Sequence, residues 1–302
     1  MKIRDILDFL DNSEIDYEFT GKDNREIKGF SALSNYKAGS ITWIKNDRGY
    51  EAAGRPTNID CAIVQSNVPV NLNDVIYSRN SKEVFFSILH HFWGNNIEAG
   101  SIGANSVVDE NVIKDQTVTI GANCSIIGNI TIGANTVIEN NVVIQGNVSI
   151  GANCIIHSGT VIGCDGYGYY FEDDGTIGKV EHFGGVEIAD RVEIGANACI
   201  DRGTIDNTVI GFNSKIDNLV HIAHNVQIGK NVCVVAGAAI CGSAKLHDGA
   251  YVAPGGIVKN QLEVGENALV GLGAVATKEV EDSMVVAGVP AKPIRRVQKG
   301  DK

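Results

Sequence analysis

An aliphatic residue returns at every sixth position through most of this chain. Counting from Ile120 gives Ile126, Ile132, Ile138, Ile144, Ile150, Ile156 and Ile162, with Ile102 and Val108 in the same register upstream and Lys114 out of pattern. A second run starts at Ile188, Ile194 and Ile200, slips, and resumes at Ile210, Ile216, Ile222, Ile228, Val234, Ile240, Leu246, Val252, Val258, Val264 and Val270. Two residues before many of these sits a second small or apolar side chain, as at Cys124, Thr136, Val148, Cys154, Ala238, Ala244 and Ala250. In an extended chain positions i−2 and i point to one face. Each hexad therefore reads as a short strand with an inward pair, followed by a turn such as Gly121-Ala122-Asn123 or Gly265-Glu266-Asn267. Gly and Asn suit backbone angles that other residues resist. A period of six with one dominant aliphatic marks a parallel β-helix, in which about 18 residues close a triangular coil. Roughly eight or nine coils are expected, each needing its neighbours to bury its inner face. A β-sandwich, with strands at irregular spacing, would not keep one register this long.

The rest of the chain divides around that repeat. Residues 1–97 lack it and read as a small α/β domain. Ile3, Ile6, Leu7 and Leu10 have helical spacing, Phe85, Ile88, Leu89 and Phe92 form a second helical face, and 41–44 and 61–64 look like strands. The β-helix is expected over 98–287, interrupted by an inserted loop at 164–185. A short basic tail, 288–302, carries Arg295, Arg296, Lys299 and Lys302 and has room for two or three helical turns. The net charge of −11 gives a nucleic-acid role little support. The seven Cys fall singly with no Cys-x-x-Cys, as core residues of a reducing compartment would. No apolar run suits a signal peptide or a bilayer span, so a cytoplasmic protein without a membrane span is expected.

Phosphate loops, nucleophile elbows and zinc-spaced clusters are all missing from the sequence. His221 and His224 lie three apart without a third ligand, so no metal site is expected. His224 sits at i+2 of its hexad, a corner position that points out of the prism. Gly242 follows one full coil later, which stacks it about 5 Å above His224. A general base beside a backbone N–H that could hold an oxyanion suits acyl transfer. Asp217, one strand earlier, is expected to orient the imidazole. The insert brings Tyr167, Tyr169, Tyr170 and Phe171 among glycines. It reads equally as a lid over an acyl or sugar group and as a plug at a seam between subunits.

At these residues the chain acquires a likeness. The runs Ile200-Asp201-Arg202-Gly203-Thr204-Ile205-Asp206 and Ile216-Asp217-Asn218-Leu219-Val220-His221-Ile222-Ala223-His224-Asn225, with Asp165-Gly166-Tyr167-Gly168-Tyr169, resemble the UDP-3-O-acylglucosamine N-acyltransferases of lipid A synthesis. The resemblance implies a mainly β protein: a uridine-binding N-terminal α/β lobe, a left-handed parallel β-helix and a C-terminal tail. It implies a homotrimer with active sites between adjacent prisms, His224 as base, Asp217 as its partner and Gly242 as oxyanion donor. Trp43 and Asn46 match the aromatic and Asn that hold the uracil. Where the family commonly has a second histidine, this chain has Gln261, and it lacks the family's long C-terminal helices. Its ending, Gly288-Val289-Pro290-Ala291-Lys292, is similar to coenzyme A-dependent hexapeptide acetyltransferases.

The expected activity is therefore N-acyl transfer from a phosphopantetheine thioester, acyl-coenzyme A or acyl carrier protein, to the amine of a nucleotide-linked amino sugar. No permanently bound cofactor is implied. Tyr167, Tyr169, His221 and Gln261 are candidates for substrate contact, and Arg295 and Arg296 with Gly242 for the donor. One rival is an acetyl-coenzyme A-dependent enzyme acting on a diamino or deoxyamino sugar of a surface polysaccharide. The other is a non-catalytic or metal-dependent β-helix protein.

Overall fold

The computed structural model describes residues 1–94 and 99–301, and the domain boundary expected after residue 97 falls outside them. The chain forms two compact units, Met1–Asn96 and Ile97–Lys302. In the first, a five-stranded sheet runs in the order Glu18–Thr20, Val75–Ser78, Cys61–Gln65, Ser40–Ile44, Gly29–Phe30. The helix Ile3–Asn12 buries Ile3, Ile6, Leu7 and Leu10, the face its spacing predicts. The helix Ser81–Trp93 adds Val84, Phe85 and Ile88 to the same core.

The second unit is the repeat made physical. Val137–Ile138 pairs in parallel with Ile155–Ile156, and Val209 with Gln227, each 18 residues on. The counted aliphatics stack in columns inside the prism: Ile126, Ile144, Ile162, Ile200, Ile222, Ile240 and Val258 are all buried on one side. One face is a ten-stranded sheet, and the other two run together as a fifteen-stranded sheet because strands such as Ser125–Ile132 turn the corner unbroken. The turns divide their labour differently from the simplest reading. Asn123, Asn135, Asn153 and Asn267 take the left-handed angles, with φ between 55° and 58°. Gly121 serves close approach instead, since a Cβ there would stand 2.6 Å from the backbone of Glu139 in the next coil.

Small polar residues at the inner i−2 positions staple coil to coil. Thr136 is fully buried, its hydroxyl donating to Gly151 O at 2.8 Å while accepting from Cys154 N at 3.1 Å. Ser214 does the same with Gly229 O and Val232 N. The buried turn carbonyls and amides thus find partners inside an apolar column.

Two defects interrupt the period. Val148 pairs with Val186, 38 residues on, so the insert adds twenty to one turn. Cys199 pairs with His221, 22 residues on, so the slip at 203–206 adds four. Part of the insert is an antiparallel hairpin, Tyr169–Phe171 with Ile177–Lys179. The C-terminal segment differs from the expected helical tail. Met284–Ala287 continues the parallel ladder on Leu269–Val270, and Lys292–Arg296 folds back on it antiparallel, because the open end of the sheet offers backbone partners. Among the described residues no helix is long and apolar enough to cross a membrane.

Replacing Thr136 by Val removes a staple without changing shape. It should lower unfolding free energy by about 1–3 kcal/mol, the cost of stranding a buried carbonyl and amide. Urea denaturation at constant m-value measures it.

Candidate active site

The strand His221–Ile222 ends at a corner of the prism, and His224 stands on that corner half exposed. Ser243 N donates to His224 O at 2.9 Å, which sets Gly242 beside the ring one coil above. A Cβ on Gly242 would lie 2.7 Å from both Cε1 and Nε2 of His224, so only glycine leaves room for the imidazole there. Elsewhere in the column turn amides are capped by side chains of the next coil: Ala122 by Asn140, Ala152 by Asp190, Ala196 by Asn218, Lys230 by Asp248. Among the described residues the Gly242 amide has no such acceptor. An uncapped N–H beside an imidazole is an acceptor-and-donor arrangement that can serve acyl transfer.

The group that orients His224 is Asn225, not Asp217. His224 Nδ1 lies 3.0 Å from Asn225 Oδ1, which also accepts from Thr204 N at 3.1 Å and Thr204 Oγ1 at 2.9 Å. Asn225 Nδ2 donates to Asp206 O at 3.2 Å, so the amide cannot be turned around. An oxygen that only accepts makes Nδ1 the protonated nitrogen and leaves Nε2 as the basic one. Thr204 and Asp206 belong to the four-residue slip, so this defect in the repeat builds the imidazole's support.

Asp217 lies one corner away. It follows Ile216, whose strand belongs to the ten-stranded face, whereas His224 follows a strand of the other sheet. Its oxygens accept from Asn218 N at 2.7 Å and Ala236 N at 3.1 Å. It lines a cavity of about 720 Å³ together with Glu139, His157, Glu193, Lys215 and Tyr251. There His157 Nδ1 lies 3.1 Å from Glu139 and Nε2 3.0 Å from Glu193. Burial works against charge on this ring, but the hydrogen bonds to Glu193 and Glu139 outweigh it and hold its pKa above the ordinary value.

The carboxylate beside the His224 corner is Asp201. Its side chain is buried, 3.7 Å from His221 Nε2. Burial raises its pKa against the opposing fields of His221, His224 and His182. The insert closes the other side of the site. Asp165 binds Arg202 of the column and, at 2.5 Å, Lys179 of the hairpin. On the return leg Phe183 N donates to Thr204 O and Gly184 N to Gly203 O. Gly166 is thereby laid against His224, where a Cβ would stand 2.7 Å from the histidine Cβ.

Of the other expected site residues, Gln261 shares the corner, its N–H donating to Gly242 O at 2.9 Å. His221 stands on the adjoining strand. Tyr167 and Tyr169 pack edge-to-face at 4.8 Å on the exposed insert. Trp43 and Asn46 lie in the N-terminal unit. Of the two arginines, Arg295 forks onto Asp301 at 2.6 and 2.7 Å, and Arg296 meets Glu281 and Asp282 O, both at the exposed surface of the C-terminal hairpin. Lys302 lies outside the described residues. Among the described residues no three His, Cys, Asp or Glu are grouped to hold a metal ion. Asn225, Thr204 and Asp201 stood in the runs that carry the resemblance but were given no role from sequence, and neither was His182. Their signal was the register slip and the insert, both visible as breaks in the count of six.

A column of hexads with an imidazole at its corner under a bare glycine amide is the arrangement of a hexapeptide-repeat acyltransferase. A family model described as bacterial transferase hexapeptide (six repeats) matches residues 129–164 and 207–242. UDP-3-O-acylglucosamine N-acyltransferase of Delftia acidovorans is 36% identical over 282 residues, 90% of this chain and 82% of that protein. A probable mitochondrial UDP-3-O-acylglucosamine N-acyltransferase of Arabidopsis thaliana is 39% identical over 140 residues, 46% of this chain and 45% of that one. Among solved structures, UDP-N-acetylglucosamine acyltransferase of Francisella novicida superposes with a TM-score of 0.60 at 29% identity, covering 65% of this chain and 70% of that one. The chain belongs to the UDP-3-O-acylglucosamine N-acyltransferase family, and it is an acyltransferase.

Gly242→Ala should push the ring off its seat and lower kcat about 100-fold, the scale of an ångström-sized misplacement, with little change in thermal midpoint. A raised folded-state pKa stabilises while the ring is charged, so the His157 contribution is complete below the unfolded value of about 6.5 and is lost as pH rises through the folded one. The gap in melting temperature between wild type and His157→Gln should therefore be full below about pH 6.5 and shrink as the pH is raised above it.

Proposed function

We propose that this protein transfers an acyl group from a phosphopantetheine thioester to the amine of a UDP-linked amino sugar, in lipid A or surface polysaccharide synthesis. The observation that carries the reading is His224 with Nδ1 held by Asn225 and Nε2 beside the uncapped Gly242 amide. The amine nitrogen attacks the thioester carbon while His224 Nε2 removes an amine proton. The Gly242 N–H holds the oxyanion as the carbonyl becomes tetrahedral. Collapse re-forms the carbonyl, breaks the C–S bond, and the imidazolium returns the proton to the leaving thiolate.

The names of the relatives support the nucleotide sugar as acceptor. Trp43 and Asn46 are assigned to the uracil. Trp43 spends its indole N–H on Ser81 Oγ at 2.9 Å and packs against Phe85 and Phe86, which fixes the orientation of the ring. Asn46 Oδ1 caps the helix Asp47–Ala52, which leaves Nδ2 as a donor. Beside Phe86 a cavity of about 570 Å³ carries Arg79 and Lys82, cations suited to phosphate. The working assembly is a homotrimer, in which a neighbouring prism walls the cleft at His224 and covers the apolar insert.

Incubating the purified protein with UDP-linked amino sugars, and offering acetyl-coenzyme A in parallel with a 3-hydroxyacyl carrier protein, tests acceptor and donor together. N-acylated product is expected with one thioester class, and His224→Ala should lower kcat by about 10² to 10⁴. An unchanged rate in that variant removes the base from the mechanism.

A further inference from the structure

The insert carries a second imidazole into the site. His182 is 2% exposed, and its ring meets that of His224 edge-to-face with centroids 5.4 Å apart. Its Nδ1 lies 2.9 Å from Val180 O, and a carbonyl oxygen can only accept, so Nδ1 carries the proton. Nε2 is then a bare acceptor. Among the described residues it is the buried side-chain nitrogen or oxygen that no protein group reaches. Leaving such an acceptor unpaired in the interior is costly, and native structures seldom do so without a use.

The surroundings show what the arrangement preserves. A Cβ on Gly166 would lie 2.7 Å from His224 Cβ and 3.0 Å from His182 Nε2, and one on Gly168 would lie 2.9 Å from His182 Cε1. Glycine at both positions lets the insert backbone lie directly against the two imidazoles, with no side chain of its own beside His182 Nε2. The segment carrying His182 is tied down on both sides, by Val180 N to Gly168 O and by Phe183 N to Thr204 O. The ring is therefore aimed rather than loosely packed.

We infer that His182 is a specificity residue of the acceptor site, its Nε2 accepting a hydrogen bond from an N–H or O–H of the amino sugar while His224 acts on the reacting amine. The inference rests on the acyl-transfer reading and adds the group that selects the acceptor. A site built to receive a substrate's hydrogen bond discriminates strongly against analogues that cannot supply it.

The test is steady-state kinetics of the full-length protein with UDP-glucosamine and with its 3-amino-3-deoxy counterpart, using the thioester that the wild type prefers. His182→Phe keeps a planar ring and deletes the acceptor, whereas His182→Gln restores an oxygen near the place of Nε2. The expected result is a rise of about 10- to 100-fold in KM for the acceptor in His182→Phe, with KM for the thioester unchanged and substantial recovery in His182→Gln. If the sugar's ring substituent is the donor, the penalty differs between the two acceptors. If the reacting amine is the donor, the penalty is the same for both. Should His182→Phe melt early, His182→Met, also without an acceptor there, carries the same comparison. Acceptor KM within twofold of wild type in both variants overturns the role of His182 and leaves acyl transfer standing. No turnover of either sugar by the wild type overturns both readings.

Discussion

Parallel stacking in register is the interaction everything else here depends on. Each coil's strands find their hydrogen-bond partners one turn above and below, and its inward aliphatics cover those of the neighbouring turns. No coil is stable alone, so the column behaves as a one-dimensional array in which every interface needs the next. Closeness is enforced wherever backbones nearly touch: Gly121 and Gly151 would each place a Cβ within 2.6 Å of an atom of the coil above. The inner hydroxyls of Thr136 and Ser214 then satisfy turn groups that burial would otherwise strand.

A column so regular presents much the same surface at each coil, and the site appears where regularity fails. The slip at 203–206 supplies Thr204 and Asp206, which fix Asn225 and, through it, the tautomer of His224. The insert between Ile162 and Ile188 brings Gly166 and His182 against the same ring. Both defects are cross-linked, by Phe183 to Thr204 and by Asp165 to Arg202. Function here is a local disturbance held rigid by an undisturbed scaffold.

Electrostatics divides the surface into two imidazole environments. His157 is held between Glu139 and Glu193, which stabilise its charged form. His224 is given an amide oxygen instead of a carboxylate, and Asp201 stands nearby in a burial that disfavours its own ionisation. A neutral orienter suits the proposed role of His224 as a base, which requires the ring to begin each turnover unprotonated.

The sequence alone determined the prism and the placement of His224 under Gly242, because a fixed period leaves no freedom: residues one turn apart must stack. It also determined that Ile3, Ile6, Leu7 and Leu10 would be buried together, since helical spacing is equally rigid. It could not determine the orienter of His224. Asp217 is close in sequence, but three-fold wrapping sends it to the next corner, and Asn225 is engaged only because the slip folds back on it. Nor could a positive charge count reveal that Arg295 and Arg296 would meet Asp301 and Glu281 once the chain's end formed a hairpin. The path of an insertion and the partner of a surface cation depend on three-dimensional contacts that the repeat does not encode, and these the tertiary structure alone decided.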